Sequence, residues 1–399
     1  MKKTVKDLLR QIMPLSKKNK NNIKRIQEAL TKDQIVDVTY LLKTKKIAIV
    51  DSSLGISKSL SSVQTIPQLT ILIQNNDVKR LMDDLNRIIR EHYLERSYDD
   101  FSPHAKEKIK AFLAPHILGL DKVKTASMIQ LFSKERFHIL LIGDPGTGKT
   151  DIIRSASELS PISVFGLGSG TTGAGLGVSF SGNQMKKGLL PKANNGICAI
   201  DELNLMKNKD AASLYSAMEK GFVTYDKGGK HEKVDANIRI QATANPKADR
   251  FVGKSLSILK EQLPFGTALL SRFHLVFVLR RPDVDKTVSI TRHMVHDDAP
   301  KKRRKEDMDY IKGFVEHALK KDVAFDKKLE PMITSFIEDA KRKEEKYIVE
   351  IGPRTVHGIM RIAQAIARME LREKTTRDDV QTALEIVKGS FEIEGIIRS

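Results

Sequence analysis

The stretch GDPGTGKT, which begins at Gly143, combines glycines, a lysine and a threonine at the spacing of a phosphate-binding loop. Glycines let backbone N–H groups approach phosphate oxygens, and the N-terminus of a following helix adds its positive dipole end. The lysine of such a loop reaches the β- and γ-phosphates, and the next hydroxyl holds Mg²⁺. The sequence therefore predicts a site for ATP and Mg²⁺ that consists of Gly143, Asp144, Pro145, Gly146, Thr147, Gly148, Lys149 and Thr150.

Two adjacent carboxylates, Asp201 and Glu202, end a later apolar run, GICAIDE. Charged groups at the end of a buried strand are costly unless they serve a purpose. A hydrolytic P-loop site needs one carboxylate for Mg²⁺ and another that orients and polarises the attacking water. We expect Asp201 to bind the metal together with Thr150, and Glu202 to act on the water.

Two further polar residues stand beside apolar runs. Asn245 follows IRIQATA, where its side chain could sense the γ-phosphate, although an Asn before a Pro is also a common turn signal. Arg272 precedes HLVFVL. An arginine at a domain edge can reach a neighbouring subunit's nucleotide and stabilise transition-state charge, or it can form a surface salt bridge. Residue types alone leave both alternatives open.

The stretch VTYDKGGKHEKV, from Val223 to Val234, predicts a β-hairpin. Apolar and polar residues alternate before a Gly-Gly pair, which supplies the backbone freedom of a tight turn. Lys227, Lys230 and Lys233 lie around this turn, so the hairpin is a basic finger and not a core element.

These residues need a framework that brings them together. Apolar strands alternate with helical segments in the middle of the chain, which is typical of an α/β domain with a largely parallel sheet. We predict three parts: a small α+β domain at 1–103, an α/β ATPase core at 104–300, and a basic linker with an α-helical lid at 301–399.

Both flanking parts leave alternatives open. The first contains helical segments and two strand-like runs, KIAIVDSS and LTILIQN, and its order of helix, turn and strand fits either a winged helix or a small helical cap. The basic stretch APKKRRKED, from Ala299 to Asp307, could be a solvated linker, a nucleic-acid contact or a nuclear-import signal.

Composition limits the class of protein. The 69 Lys and Arg residues exceed the 50 Asp and Glu residues, and the net charge of +19 favours a polyanionic partner. A single cysteine excludes a disulfide framework and a CxxC zinc site, and it indicates a reducing compartment. No apolar run has the length of a membrane span. We expect a cytoplasmic protein, or a nuclear one in a eukaryote.

Four stretches of the chain resemble, in the same order, the AAA+ motor of the minichromosome maintenance (MCM) replicative helicases. They are GDPGTGKT, GICAIDELNLM, ATANP and LLSRFHLVFVL. The resemblance extends from about Pro115 to Lys388. It implies a P-loop AAA+ core with a pre-sensor-1 β-hairpin, followed by an α-helical lid. It also implies a ring, which we expect to be a homo-hexamer, that hydrolyses ATP at its subunit interfaces and moves along DNA.

The resemblance assigns roles to residues that match the family's motifs. Asn245 is similar to the sensor-1 asparagine, Arg272 to an arginine finger that acts in trans, and Arg354, in GPRTVHGI, to the sensor-2 arginine of the lid. These three join Lys149, Asp201 and Glu202 as the expected catalytic residues.

The same resemblance assigns DNA contacts. Lys227 lies where the family carries the lysine at the tip of its channel hairpin, and Lys230 lies beside it. A second insert, GTTGAGLGVSFSGNQMKKGLL, is similar to the family's helix-2 insert, with Lys186 and Lys187 as further channel candidates. A lysine on such an arm contacts phosphates without reading sequence.

The chain departs from the family's pattern at three places. Gly148 and Thr150 stand where the family has Ala and Ser, which restores the ordinary P-loop. His274 stands where the family has an acidic residue after SRF. The family's oligonucleotide-binding barrel and zinc ribbon cannot be fitted before the motor, where roughly a hundred cysteine-free residues remain.

The sequence thus favours an ATP-dependent DNA translocase or helicase of MCM type, with DNA, copies of itself and other replication proteins as partners, and no membrane. Two alternatives remain. An MCM-derived ATPase could load or remodel proteins on DNA without unwinding it, and a DNA-binding regulator could use nucleotide only as a switch.

Overall fold

The computed structural model describes residues 47–51, 69–73, 94, 97–182, 184–207, 210–227, 230–253, 255–281, 288, 292 and 303–391. The chain divides into two compact units, Met1–Asp100 and Phe101–Ser399. In the first unit, β1 (Ile47–Asp51) and β2 (Leu69–Ile73) pair in parallel. These strands fall on the two strand-like runs of the sequence. The winged-helix and helical-cap alternatives concern segments that lie outside the described residues.

Strands and helices alternate along the first part of the second unit. The strands are β3 (Ile139–Gly143), β4 (Ser163–Leu167), β5 (Val178–Ser181), β6 (Gln184–Lys187), β7 (Ile197–Asp201), β8 (Phe222–Lys227), β9 (Lys230–Asp235), β10 (Arg239–Ala244) and β11 (Leu275–Leu279). The helices are α1 (Ala105–Phe112), α2 (Asp121–Gln130), α3 (Lys149–Leu159), α4 (Gly173–Leu176), α5 (Leu189–Lys192), α6 (Ala212–Lys220), α7 (Leu256–Glu261) and α8 (Thr267–Leu270).

Five of these strands form one sheet in the order β11-β3-β10-β7-β4, and every neighbouring pair is parallel. Ile139 of β3 is aligned with Leu275 of β11 and with Gln241 of β10. Because the strands run in one direction, their carboxyl ends meet at one edge of the sheet and their amino ends at the other. We call these the carboxyl edge and the amino edge.

The central strands of the sheet are buried; β3 and β7 are mostly apolar, whereas β10 also buries Arg239, Gln241 and Thr243. All residues of β3, β7, β10 and β11 are buried, as expected of parallel strands covered on both faces. Burying one Leu or Ile side chain contributes about 1.5–3 kcal/mol. Cys198 in β7 is part of this core, and burial raises the pKa of its thiol to about 12.

Two antiparallel hairpins accompany the sheet. Strands β5 and β6 form the insert hairpin, and β8 and β9 form the basic hairpin. The basic hairpin begins with the pair Phe222 and Asp235 and ends with the pair Lys227 and Lys230, and the Gly-Gly turn lies outside the described residues. The hairpin predicted from the sequence is therefore present.

The last part of the unit is helical. It contains α9 (Lys305–Lys320), α10 (Glu330–Arg342), α11 (Pro353–Met369) and α12 (Arg377–Phe391). Arg303 of the basic linker donates to the backbone oxygen of Phe112 at 3.1 Å and to Ser155 Oγ at 2.8 Å. It also pairs with Glu158 of α3, whereas Arg304 is exposed. The described part of the linker, residues 303–307, is therefore only partly solvated.

The predicted fold class, an α/β P-loop core followed by an α-helical lid, is confirmed by this arrangement. Within the part of the chain that the structure describes, none of the helices is long and apolar enough to span a membrane.

Candidate functional site

The P-loop (residues 143–150) connects β3 to α3 at the carboxyl edge. Gly146 and Gly148 both have φ +79°, in the left-handed region that glycine adopts without strain. No described atom lies within 4 Å of the position that a Cβ on Gly146 would take. Helix α3 begins at Lys149, so its unpaired N–H groups point towards this open space. Such a cradle suits a phosphate chain.

The Lys149 ammonium group lies buried inside the P-loop. Its Nζ donates to the backbone oxygens of Gly143 at 2.7 Å and Asp144 at 2.8 Å. Among the described residues no carboxylate forms an ion pair with it. Burial lowers the pKa of Lys149 to about 8, although the charges of Asp144, Asp201 and Glu202 oppose this shift. A buried cation that is held by neutral carbonyls fits an incoming anion.

Asp201 ends β7 beside the P-loop, and its carboxylate is fixed by two hydroxyl groups. Thr150 Oγ1 lies 3.0 Å from both carboxylate oxygens, and Thr243 of β10 donates to Oδ1. The structure thus brings together the two residues that the sequence proposed as the metal site. Carboxylate and hydroxyl oxygens are hard donors, which fit Mg²⁺.

Glu202 adopts a left-handed backbone conformation, with φ +53°. Its N–H donates to Thr243 Oγ1 at 3.0 Å. A Cβ on Gly168 would lie 2.2 Å from the backbone oxygen of Glu202. A strained residue that is held from two sides is a feature of functional sites. Residue types alone did not single out Thr243 or Gly168, because Thr243 is one of three polar residues in the run IRIQATA.

Asp144 and Asn245 hold different places at this edge. The buried Asp144 carboxylate accepts hydrogen bonds from the backbone N–H of Phe251 at 2.7 Å and of Arg281 at 3.0 Å. It therefore ties the P-loop to the segments after β10 and β11. Asn245 follows β10, which lies between β3 and β7, and its N–H donates to Asn204 Oδ1 at 3.1 Å. Asn245 thus stands between the P-loop and Glu202.

Arg272 and Arg354 lie at the amino edge of the sheet. Arg272 precedes β11, whose first residue is aligned with the first residue of β3. Its Nη2 lies 3.1 Å from Glu219 Oε1, and its guanidinium stacks over the Tyr215 ring at 4.6 Å. Arg354 Nη2 lies 3.8 Å from the same Glu219 oxygen, and Nη1 donates to the Ser271 carbonyl. We call Arg272, Arg354 and Glu219 the arginine edge.

A cavity of about 720 Å³ opens beside the arginine edge. Glu219 and Glu350 are its acidic lining residues, and the basic ones are Arg136, His274, Lys341, Arg354, His357 and Arg361. Partial burial lowers the pKa of Arg354, and the nearby Glu219 opposes this shift. The sequence had not indicated that one glutamate would hold both arginines.

The two hairpins contact each other. The ring centroids of Phe180, in the insert hairpin, and Tyr225, in the basic hairpin, lie 4.7 Å apart. Lys186 and Lys187 of the insert hairpin are exposed. The Lys233 ammonium group lies over the Phe222 ring at 4.1 Å, which keeps it near the hairpin base, away from the end where Lys227 and Lys230 pair.

Comparison with known proteins gives a consistent result. The MCM P-loop domain matches residues 99–298, and the MCM AAA-lid domain matches residues 309–391. The chain is 26% identical to the minichromosome maintenance protein MCM of Saccharolobus solfataricus over 78% of the chain and 49% of that protein. It is 27% identical to the probable DNA helicase MCM9 of Arabidopsis thaliana over 82% of the chain and 57% of that protein.

A third relative, the DNA replication licensing factor mcm7 of Xenopus tropicalis, is 28% identical over 71% of the chain and 43% of its own length. The chain therefore spans about half the length of these relatives. The family matches fall on the P-loop core and the lid, as the motifs of the sequence predicted. This chain belongs to the MCM family, of which it carries the motor and the lid.

Proposed function

We propose that this chain is an ATP-driven DNA translocase that hydrolyses ATP between the subunits of a homo-oligomeric ring, most simply a hexamer. The observation that carries the proposal is the distance between the two edges of the sheet. The five residues of β3 separate them by about 16 Å, with the P-loop at one edge and Arg272 and Arg354 at the other.

An arginine side chain cannot cross that distance to the P-loop of its own chain. The arginine edge of one copy must therefore face the carboxyl edge of another for a complete site. This contact joins two different surfaces, so it repeats around a closed ring.

Each residue then has a defined task. Bound ATP and Mg²⁺ supply the phosphoryl group and a charge-neutralising cation. Lys149, which lies inside the P-loop, and the P-loop N–H groups would hold the phosphates, and the adjacent Thr150 and Asp201 would hold the metal. Glu202 orients and polarises the attacking water, while Asn245 senses the γ-phosphate.

At the far side of the same site, Arg272 and Arg354 of the neighbouring subunit leave Glu219 and stabilise the negative charge of the transition state.

The basic hairpin is the proposed DNA grip, through Lys227 and Lys230, with Lys186 and Lys187 of the insert hairpin beside it. Strand β9 leads within a few residues into β10, which carries Thr243 and is followed by Asn245. Movement at the nucleotide site can therefore reach the hairpin through one short stretch of chain. We place the protein with other replication proteins in the compartment that holds the DNA, the cytoplasm or, in a eukaryote, the nucleus.

The test is ATPase activity with and without single-stranded or duplex DNA at two salt concentrations. DNA should stimulate hydrolysis, salt should weaken the stimulation, and Lys227→Ala should abolish it without lowering basal activity. Lys328→Ala, which removes an exposed lysine from the lid, is the control for charge and should leave the stimulation intact. If DNA has no effect, or both variants respond like the native protein, the translocase proposal fails and a protein substrate takes its place.

A further inference from the structure

His274 joins the core to the lid. It follows Phe273 and precedes β11, and only 9% of its surface is exposed. Its backbone N–H donates to the His138 carbonyl at 2.9 Å. The position that a Cβ on Gly358 of α11 would take lies 3.5 Å from His274 Cβ. The lid helix therefore passes directly against this side chain.

Both ring nitrogens of His274 face N–H groups. Nδ1 lies 3.1 Å from the backbone nitrogen of His138, and Nε2 lies 2.8 Å from Nη1 of Arg361. Arg361 also donates to Glu135 Oε2 at 2.8 Å and to the Arg136 carbonyl. The side chain of Arg361 thus binds α11 to the segment before β3.

An imidazole cannot satisfy both of these donors. Burial lowers the pKa of His274 well below its usual value, so the ring is neutral and has one N–H and one lone pair. A guanidinium group carries only donors. The backbone N–H of His138 is a donor too, so only one of the two contacts can be a hydrogen bond. The contact with Arg361 is the shorter one and its donor is charged, which favours the lone pair on Nε2 and the proton on Nδ1.

The contact between His274 and Arg361 affects the position of the arginine edge. Arg354, Gly358 and Arg361 are spaced at i, i+4 and i+7, so they share one face of α11. Seven residues of helix separate Arg354 from Arg361 by about 10 Å. His274 itself lies two residues after Arg272. One side chain therefore links the segment that carries Arg272 to the helix that carries Arg354.

We propose that His274 is a positioning residue that acts through its Nε2 atom on Arg361. By holding Arg361 it fixes where α11 presents Arg354 to the nucleotide of the neighbouring subunit. This inference rests on the proposed function, because it gives Arg354 a task in hydrolysis between subunits. His274 replaces the family's acidic residue as a neutral acceptor.

Two substitutions distinguish the two ring nitrogens. In His274→Gln the amide oxygen can reach the position of Nε2, whereas in His274→Asn it can reach only that of Nδ1. We expect His274→Gln to keep kcat for ATP within about threefold of the native value. His274→Asn should lower kcat about tenfold, the effect of a coupling typical of contacting residues, with KM and the thermal midpoint unchanged. Equal kcat values for both variants, or a larger loss for His274→Gln, would overturn the proposal.

Two further variants complete the experiment. Arg361→Ala removes the other side of the contact together with the bonds to Glu135 and Arg136, so adding His274→Asn should cost no more than Arg361→Ala alone. Additive losses contradict the proposed route and overturn the inference even if His274→Asn folds poorly. Arg354→Ala tests the underlying function. If it leaves kcat intact, the trans-acting role of Arg354 fails and the inference fails with it; if it lowers kcat while His274→Asn does not, only the inference fails.

Discussion

The carboxyl edge and the arginine edge belong to the same sheet but are built in different ways. At the carboxyl edge, Lys149 and Asp201 are 7% exposed, and each is held by at least two hydrogen bonds to the P-loop or to neighbouring strands. At the arginine edge the side chains of Arg354 and Glu219 are 37% and 41% exposed. At this edge Glu219 forms ion pairs with both Arg272 and Arg354, beside an open cavity.

The difference shows which half of a shared site can be prepared in advance. Groups that contact the phosphates can be fixed within one chain, since the loop that carries them also surrounds the nucleotide. In the proposed ring, the arginines change partners when a second chain binds. A partly exposed ion pair suits this, because such pairs contribute only about 0–1 kcal/mol and are readily exchanged.

The contrast between the two edges would lose its meaning if one chain contained a complete site. Rings that mix two inactive variants test this most directly. Arg272→Ala and Glu202→Gln should each lower kcat by about a thousandfold. Co-expressed in one ring, the two variants should regain hydrolysis, since about a quarter of the interfaces in a random ring combine an intact Glu202 with an intact Arg272. ATPase activity of doubly tagged, purified rings measures the gain.

The control for the mixed rings is one variant co-expressed with itself under both tags, which should stay inactive. Mixed rings that are no more active than either variant would show that the arginine does not act between chains.

A smaller change at the carboxyl edge tests how tightly that edge is fixed. In Gly168→Ala the new methyl group would meet the Glu202 carbonyl and displace the residue that orients the water. A displacement of about 1 Å can cost up to a hundredfold in rate, so we expect kcat to fall by about tenfold or more. Gly170→Ala is the matched control, because no described atom lies within 4 Å of its Cβ position. Equal rates for the two variants would contradict the fixed geometry of Glu202.

The two edges should also differ in their response to pH. Lys149, with a pKa lowered to about 8, binds phosphate when protonated, so ATP affinity should be constant below pH 8. Above pH 8 it should weaken by about tenfold per pH unit, until pH passes the raised pKa of the bound form. Titrations of Glu202→Gln with ATP between pH 7 and pH 9.5 measure this.

Saturating ATP keeps the site occupied over the same pH range. The kcat of the native protein at saturating ATP should therefore lack the decline that the affinity shows. A constant ATP affinity up to pH 9.5 would exclude the lowered pKa.

The smallest expected effect concerns the two hairpins. Phe180→Ala removes the ring that contacts Tyr225, so movement of the basic hairpin should pass less completely to the insert hairpin. DNA stimulation of ATPase activity should fall about threefold, which corresponds to an aromatic pair of about 0.5–1.5 kcal/mol, while basal activity is retained. Phe180→Leu keeps most of the apolar contact, so its DNA stimulation should lie between that of the native protein and that of Phe180→Ala. Unchanged stimulation in Phe180→Ala would show that the hairpins work independently.

The sequence was sufficient for those parts that depend on local chemistry. The order of apolar strands and helices predicts the parallel sheet, and the glycines, Lys149 and Thr150 predict the P-loop because backbone conformation and side-chain type are local properties. The resemblance of four motifs to the MCM family then predicted the lid, and the family matches confirm it.

The rest depends on tertiary contacts that residue types do not encode. Glu219 looks like any helical surface acid until the fold places it 3.1 Å from Arg272. Gly168 is distinguished only by the Glu202 carbonyl that approaches it. His274 appeared in the sequence as an unexplained departure, and its meaning depends on Arg361, which lies 87 positions further along the chain.

The length of the basic hairpin has a mechanical consequence. Its six-residue strands give an arm of about 20 Å, and the second of them is followed closely by β10. Tilting such an arm by about 10° carries its tip about 3.5 Å, close to the rise of one nucleotide along a DNA strand, about 3.4 Å. In the proposed translocase, a rotation of this size at the base of the hairpin would thus move the DNA by one nucleotide.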